Sequence, residues 1–126
     1  MVYNVQVKGV NSNIEEEILI NIKDIELLCF VSHWGTNIKV GNFYKVDIGV
    51  TILDDLDMIK QSEKLYKFEQ INDSFAYFIY GKFDFDSHTI DAGILIEFDL
   101  ANLYDYSYLD EKFVRVRVDR ISANFI

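Results

Sequence analysis

The sequence predicts a single, mainly β domain spanning residues 1–126: a small antiparallel barrel with at most one short helix. The chain has 126 residues, of which half are apolar, which is enough for one domain with its own core. Apolar and polar residues alternate with period two over residues 3–7, 44–52 and 114–118, as in strands with one face buried and one in water. There is no proline to protect an exposed sheet edge, which favours a closed barrel.

The alternation in two of these segments defines the expected core. Over residues 44–52 and 114–118, the apolar side chains share one face and the polar side chains share the other. We therefore expect burial of Val46, Ile48, Val50, Val114, Val116 and Val118.

Residues 74–86 and 89–98 predict a hairpin. The first segment is rich in aromatic residues, and the intervening Asp86-Ser87-His88 supplies turn-forming side chains. Gly81 interrupts the first strand, which predicts a bulge or a sharp bend there.

Two segments have ambiguous periodicity. Residues 14–31 predict a long strand bent by a bulge near Lys23-Asp24, because isoleucine is abundant and a phase break occurs at Asp24. Isoleucines at helical spacing leave open an α+β fold with a helix near residues 13–23. If the fold is a barrel, residues 54–66 are the best candidate for its short helix, with Asp54 or Asp55 as the N-cap.

Three segments carry a likeness to a known fold. Tyr80-Gly81-Lys82-Phe83, then Ile90-Asp91-Ala92-Gly93-Ile94, then residues 112–119 resemble the strand, glycine, hairpin and final-strand pattern of OB-fold barrels. The resemblance covers roughly a third of the chain. It implies a small barrel, and OB-like barrels often bind single-stranded nucleic acid through stacked aromatic rings in a basic groove.

The charge distribution is uneven and points to a basic partner. The net charge is −9, and residues 47–111 alone carry four lysines against 15 acidic residues. Such an excess opposes sequence-blind nucleic-acid binding, which needs a basic surface. Clustered acidic charge instead accelerates encounter with a basic protein. In size, acidity and lack of catalytic motifs the chain is similar to bacterial immunity proteins, a resemblance that implies inhibition of a toxin.

Three tyrosines lie within the acidic region, in residues 103–111. If that segment is extended, its tyrosines share one face, and tyrosine is a preferred interface anchor. The alternative is that the rings fill one end of the barrel. The predicted partner-binding residues are Tyr104, Tyr106 and Tyr108 as anchors, with Asp99, Asp105, Asp110 and Glu111 as steering charges.

The alternative function is an OB-like module that binds single-stranded nucleic acid or a small ligand. The one basic run consists of Lys112, Arg115, Arg117 and Arg120, with Phe113 in line. Cross-strand pairing of these arginines with acidic residues is the simpler expectation, so nucleic acid is an unlikely partner.

No pattern identifies a reaction, so we expect no enzymatic activity, no metal site and no cofactor. The two histidines, His33 and His88, belong to no recognisable catalytic motif. The lone Cys29 lies in an apolar segment, where a structural thiol is expected. The loop His33-Trp34-Gly35-Thr36-Asn37 is the next candidate for a binding site, with Trp34 as a loop anchor or a barrel plug.

The sequence also predicts a cytoplasmic protein without membrane segments. A single cysteine cannot form an intramolecular disulfide and fits a reducing compartment. The N-terminal residues alternate apolar and polar, unlike a signal peptide.

Overall fold

Two β-sheets form the fold in the computed structural model, which describes residues 1–99 and 101–126. Strands make up 55% of the chain, which confirms the mainly β prediction. The strands are β1 (Val2–Asn11), β2 (Ile14–Ile22), β3 (Ile25–Phe30), β4 (Phe43–Thr51), β5 (Asp57–Lys60), β6 (Lys67–Gln70), β7 (Tyr77–Asp84), β8 (Thr89–Asp91), β9 (Leu95–Glu97), β10 (Phe113–Val118) and β11 (Arg120–Phe125).

The first sheet is a closed five-stranded barrel with the strand order β1-β2-β3-β11-β4. The predicted barrel of mainly antiparallel strands is confirmed, and the ring is closed. One pair is parallel: β3 and β11 run in the same direction where Phe30 pairs with Ser122. The direction of β11 is set by its antiparallel ladder with β4, which extends from Arg120 to Phe125. Closing the ring then requires β11 to lie beside β3 in a parallel orientation.

The second sheet has the order β5-β10-β7-β8-β9, and β6 pairs with the first half of β7. Between β9 and β10 lies the 3₁₀ helix η1 (Ala101–Leu109). At most one short helix was predicted, and η1 is the one helix within the described residues, although it lies elsewhere in the chain than the candidate at residues 54–66. The same part of the chain contains no helix with the length and apolar character needed to cross a membrane.

The chain passes between the two sheets at two adjacent places, after β4 and after β10. Asp119, the single residue between β10 and β11, holds these crossings together. Its carboxylate accepts a 2.7 Å hydrogen bond from the backbone N–H of Leu53 and a 3.0 Å bond from Arg117. The Leu53 N–H is the main cause, and the Arg117 guanidinium a further cause, of a pKa for Asp119 below its usual range.

The buried side chains of both sheets form one hydrophobic cluster. Five of the six predicted core residues are buried: Val46, Ile48, Val114, Val116 and Val118. The prediction for Val50 was wrong, since Val50 is only half-buried. It lies near the end of β4, where it borders a surface depression together with Met1 and Asp99.

Two tyrosine hydroxyls connect the barrel to the second sheet. The hydroxyl of Tyr3, on β1, donates to the carbonyl of Leu95 at 2.7 Å and accepts from the N–H of Leu95 at 3.0 Å. The hydroxyl oxygen of Tyr77, on β7, accepts a 2.8 Å hydrogen bond from the N–H of Leu28 on β3. These three bonds satisfy backbone groups that the strand ladders leave free.

The Tyr77 bond predicts a specific alkaline sensitivity. Burial raises the pKa of Tyr77 from 10.0 to about 12. The protonated Tyr77 hydroxyl contributes its full stabilisation of the folded state below pH 10, and this stabilisation is lost as the pH rises through 12. The reason is that the tyrosine of the unfolded chain, with the lower pKa, releases its proton first, which favours unfolding. We expect the free energy of unfolding, measured by urea denaturation, to fall less steeply over this range in Tyr77→Phe than in wild type. Equal slopes in the two proteins would contradict this prediction.

The residues that the sequence assigned to a bulge form a hairpin turn instead. Lys23 and Asp24 have φ angles of 48° and 66°, and Ile22 pairs directly with Ile25. Positive φ at both central residues is the geometry of a two-residue type I′ turn. Neither residue is the usual asparagine or glycine of such a turn, so the prediction of one bent strand was wrong. The alternative α+β fold is also wrong, because residues 14–22 form β2.

The segment predicted as a helix, residues 54–66, contains the short strand β5. Pairing with β10 supplies tertiary contacts that outweigh the weak helical pattern. Residues 89–98 form two short strands, β8 and β9, rather than one, with a turn at Gly93, whose φ is 101°. The predicted hairpin around Asp86-Ser87-His88 is confirmed by the pairing of β7 with β8.

Candidate protein-binding surface

The predicted tyrosine segment is helical, because its apolar contacts repeat every three residues. Leu103 and Leu109 are buried, and Tyr106 between them is half-buried against the core. A spacing of three places these side chains on one side of a 3₁₀ helix. The extended conformation under which the three tyrosines would share a face is therefore not adopted, and they do not share one.

Tyr106 fixes η1 against the second sheet. Its hydroxyl donates a 2.6 Å hydrogen bond to the backbone carbonyl of Leu56, at the start of β5. The ring packs against the core but is not fully buried. Tyr106 is thus mainly a positioning residue, because it holds in place the helix that carries Tyr108.

Tyr108, two residues after Tyr106 in η1, is exposed to solvent. Its side chain is 71% exposed, and its ring stacks on that of Tyr106, with centroids 6.4 Å apart and an angle of 22° between the planes. The two rings border a shallow depression of about 510 Å³. We call this region the tyrosine–aspartate surface; it consists of Asp55, Leu56, Asp105, Tyr106 and Tyr108.

The electrostatic field at this surface is negative. The pKa of Tyr106 is raised above its ordinary value, first by burial and then by nearby negative charge. The charges responsible include Asp57, Asp105 and Asp55. Within residues 1–99 and 101–126, no lysine or arginine borders the depression. The surface therefore presents rigid aromatic area surrounded by carboxylates.

Tyr104 lies apart from this surface. It is 75% exposed and packs edge-on against Phe85, with ring centroids 5.9 Å apart. The predicted anchors are thus divided: Tyr106 and Tyr108 lie together, and Tyr104 lies on another side of η1.

The predicted steering charges are also dispersed. Asp105 belongs to the tyrosine–aspartate surface. Asp110 accepts a 2.9 Å hydrogen bond from the N–H of Phe85 and so has a structural role. Glu111, with φ of 61°, borders a different depression that also contains Lys82. Asp99 borders a third depression near Met1 and Glu97.

Sequence reasoning missed Asp55 and Leu56 as members of the surface. They lie about fifty residues before Tyr106 and reach it only through the packing of β5 beside β10. The acidic run Asp54-Asp55-Leu56-Asp57 could have marked these residues as part of an acidic surface. The sequence does not indicate, however, which distant segment packs against that run.

Arg115 and Arg117 of the predicted basic run lie on β10, where both guanidinium groups already have partners. Arg117 forms a 3.0 Å ion pair with Asp119, and the Arg115 guanidinium lies 4.7 Å from the centre of the Phe78 ring. Asp57 on β5 lies directly opposite Arg117, and Asp91 on β8 lies directly opposite Lys82. This arrangement does not favour the nucleic-acid alternative, because carboxylates lie beside the cations that phosphates would contact.

The side chains that could act as nucleophiles, exchange protons or bind a metal are dispersed or buried. Burial raises the pKa of the Cys29 thiol well above its usual range, so the reactive thiolate does not form there near neutral pH. The ring of His88 lies 5.7 Å from that of Phe85. In residues 1–99 and 101–126, no three His, Cys, Asp or Glu side chains are arranged to hold a metal ion.

Comparison with known proteins identifies the family of the chain. No curated protein and no solved structure gives a significant match. A family model matches the chain over residues 1–126. The chain therefore belongs to the family described as uncharacterised conserved protein UCP019853.

Proposed function

We propose that this protein is a small acidic binding module that docks on a basic surface of another protein through the tyrosine–aspartate surface. The observation that supports this most is the arrangement of Tyr108. Its ring is exposed but held in place by the stack on Tyr106, which is itself bonded to Leu56. An aromatic side chain that is ordered before binding loses little entropy in a complex.

The charges around Tyr108 favour a basic partner. Asp55, Asp57 and Asp105 are close enough to influence the ionisation of Tyr106. Carboxylates around an aromatic anchor attract lysine and arginine side chains and repel acidic proteins. The acidic excess of residues 47–111 adds a long-range attraction that speeds association.

A more specific form of the proposal is an inhibitor or immunity protein for a toxin. A protein that acts on nucleic acid keeps a basic groove for phosphates, and carboxylates of an acidic inhibitor can occupy that groove instead. We also place the protein in the cytoplasm, since its single cysteine is a free, buried thiol. In this proposal the protein binds its target and catalyses no reaction.

The test is capture of the partner by the tagged chain, with two charge-changed variants. We expect wild type to retain a basic protein that binds it again after separate purification. The variant with Asp55→Lys and Asp105→Lys should lose this binding. The matched variant with Arg115→Glu and Arg117→Glu should keep it, because those side chains lie on β10, outside the tyrosine–aspartate surface.

Two results would overturn the proposal. One is a captured protein whose binding is unchanged by the aspartate substitutions. The other is binding that depends on Arg115 and Arg117 instead, which would favour an acidic ligand.

A further inference from the structure

Trp34 lies at a second, separate depression on the barrel. This depression has a volume of about 320 Å³ and lies beside the loop that follows β3. It is bordered by Glu15, Glu16, Phe30, Val31, Ser32 and Trp34. Trp34 is half-buried, so it is neither a free loop anchor nor a fully enclosed plug.

Several contacts hold the indole of Trp34 rigidly. One face stacks on Phe125, with centroids 5.5 Å apart and planes inclined by 17°. The indole N–H donates a 3.1 Å hydrogen bond to the backbone carbonyl of Glu15. The preceding residues are fixed as well, because the side-chain oxygen of Asn124 accepts hydrogen bonds from the N–H groups of Ser32 and His33, both at 3.0 Å.

The charges around the depression are predominantly negative. Glu15 and Glu16 border it and are exposed. In the part of the chain that the structure describes, no lysine or arginine borders it. One cation, Arg120, lies against a residue that borders the depression: its guanidinium is 3.9 Å from the centre of the Phe30 ring. Arg120 thus occupies a face of Phe30, and Trp34 is the aromatic ring left for a ligand.

We propose that this depression binds an arginine side chain of a polypeptide. A guanidinium is planar and stacks on an indole, where the ring quadrupole attracts its charge. With Phe125 on one face of Trp34, the guanidinium takes the opposite face, and a carboxylate at the border of the depression accepts its N–H groups. Glu15 and Glu16 are consecutive in β2 and so point to opposite sides of the strand, which leaves one of them to make this contact. Lysine fits less well, because its ammonium is compact and strongly hydrated.

This inference does not depend on the tyrosine–aspartate surface. It concerns a different sheet, different residues and a single side chain rather than a whole partner. The depression would give a basic partner a second point of contact, but it can be tested without any partner.

Trp34 is the single tryptophan of the chain, so its fluorescence reports on this site alone. The probes are two blocked tripeptides, glycine–arginine–glycine and glycine–citrulline–glycine, in which citrulline is the neutral isostere of arginine. We expect the arginine peptide to change Trp34 fluorescence saturably, with a Kd of about 1 mM, the weak affinity expected for one exposed cation–π contact with one carboxylate. The citrulline peptide should produce no saturable change.

Variants separate the site from general attraction to an acidic protein. Glu15→Gln with Glu16→Gln should weaken binding of the arginine peptide about tenfold, the effect of losing roughly 1.4 kcal/mol. Glu63→Gln with Asp73→Asn, which removes the same charge at exposed positions outside both surfaces, should leave it unchanged. Far-UV circular dichroism of each variant confirms that the barrel is intact.

Three outcomes would overturn the inference. They are an equal response to the two peptides, an equal loss in both pairs of variants, and no response at any concentration up to about ten times the expected Kd. A stronger response to a lysine peptide would contradict the assignment to arginine. Failure to capture a basic partner would weaken the proposed function and leave this result standing.

Discussion

Replacing Gly81 with alanine should lower the free energy of unfolding by about 3 kcal/mol or more, at the upper end of the cost of overpacking. A methyl group at this position would overlap the backbone carbonyl of Asp91 and approach Cγ2 of Ile90 to 2.8 Å. Both obstacles belong to β8, and one is backbone, so a side-chain rotation cannot relieve the clash. The sequence predicted a bulge or bend at Gly81; the structure shows a close approach of two strands instead.

Gly9→Ala is the matched control for this substitution. The nearest atom to an added methyl at Gly9 is Cβ of Leu19, at 3.9 Å, which is ordinary van der Waals contact. We expect a change of less than about 1 kcal/mol, of either sign. Urea denaturation of both variants measures the difference. Similar stabilities for the two would show that β8 moves away from β7 at little cost.

The Gly81 contact also bears on the binding surface. Residues that follow β8 lead through β9 into η1, which carries Tyr106 and Tyr108. Displacement of β8 would therefore disturb the support of η1 as well as the sheet. We expect the Gly81→Ala protein to bind a partner less well even where it remains folded.

Replacing Tyr108 with alanine should weaken partner binding by about 2 kcal/mol, close to thirtyfold, if the proposed function is correct. The loss should appear mainly as faster dissociation, because truncating an anchor removes contacts made only in the complex. Surface plasmon resonance with the captured partner measures both rates. Unfolding measurements should show little change, since the Tyr108 side chain is 71% exposed.

Tyr104→Ala is the matched control, because it removes an equally exposed tyrosine from the same helix. Tyr104 packs on Phe85, outside the tyrosine–aspartate surface, so we expect a loss of less than about 1 kcal/mol. Asp105→Lys should act differently from either, by slowing association and flattening its dependence on salt. An equal effect of the two tyrosine substitutions would show that the binding surface is not the one bordered by Tyr108.

Local periodicity by itself determined the strands of both sheets that contribute most to the core. Alternation places Val46 and Ile48 inward on β4, and Val114, Val116 and Val118 inward on β10. Such a pattern is decisive, because a shift of one residue would expose every apolar side chain of a strand. The hairpin at residues 86–88 was equally local, since turn-forming side chains lie between two apolar segments.

Turns and short elements depended on the tertiary structure. Lys23-Asp24 lacks the residues typical of a type I′ turn, yet the pairing of β2 with β3 along the barrel imposes positive φ on both. Residues 57–60 have little strand character of their own, and β10 recruits them as β5. The spacing of Leu103, Tyr106 and Leu109 was present in the sequence, but alternating tyrosines made an extended segment equally plausible.

The sequence by itself determined the mainly β barrel, the acidity and the tyrosine-rich acidic segment that suggested a binding role. Only the tertiary structure decided which residues stand together: Asp55 and Leu56 with Tyr106 and Tyr108, and Glu15 and Glu16 with Trp34. The physical reason is that burial patterns are encoded over a few neighbouring residues, whereas a surface is assembled by strand pairings between distant segments. Tyr106 illustrates both levels, because its ring follows the local period of three while its hydroxyl bonds to Leu56, fifty residues earlier.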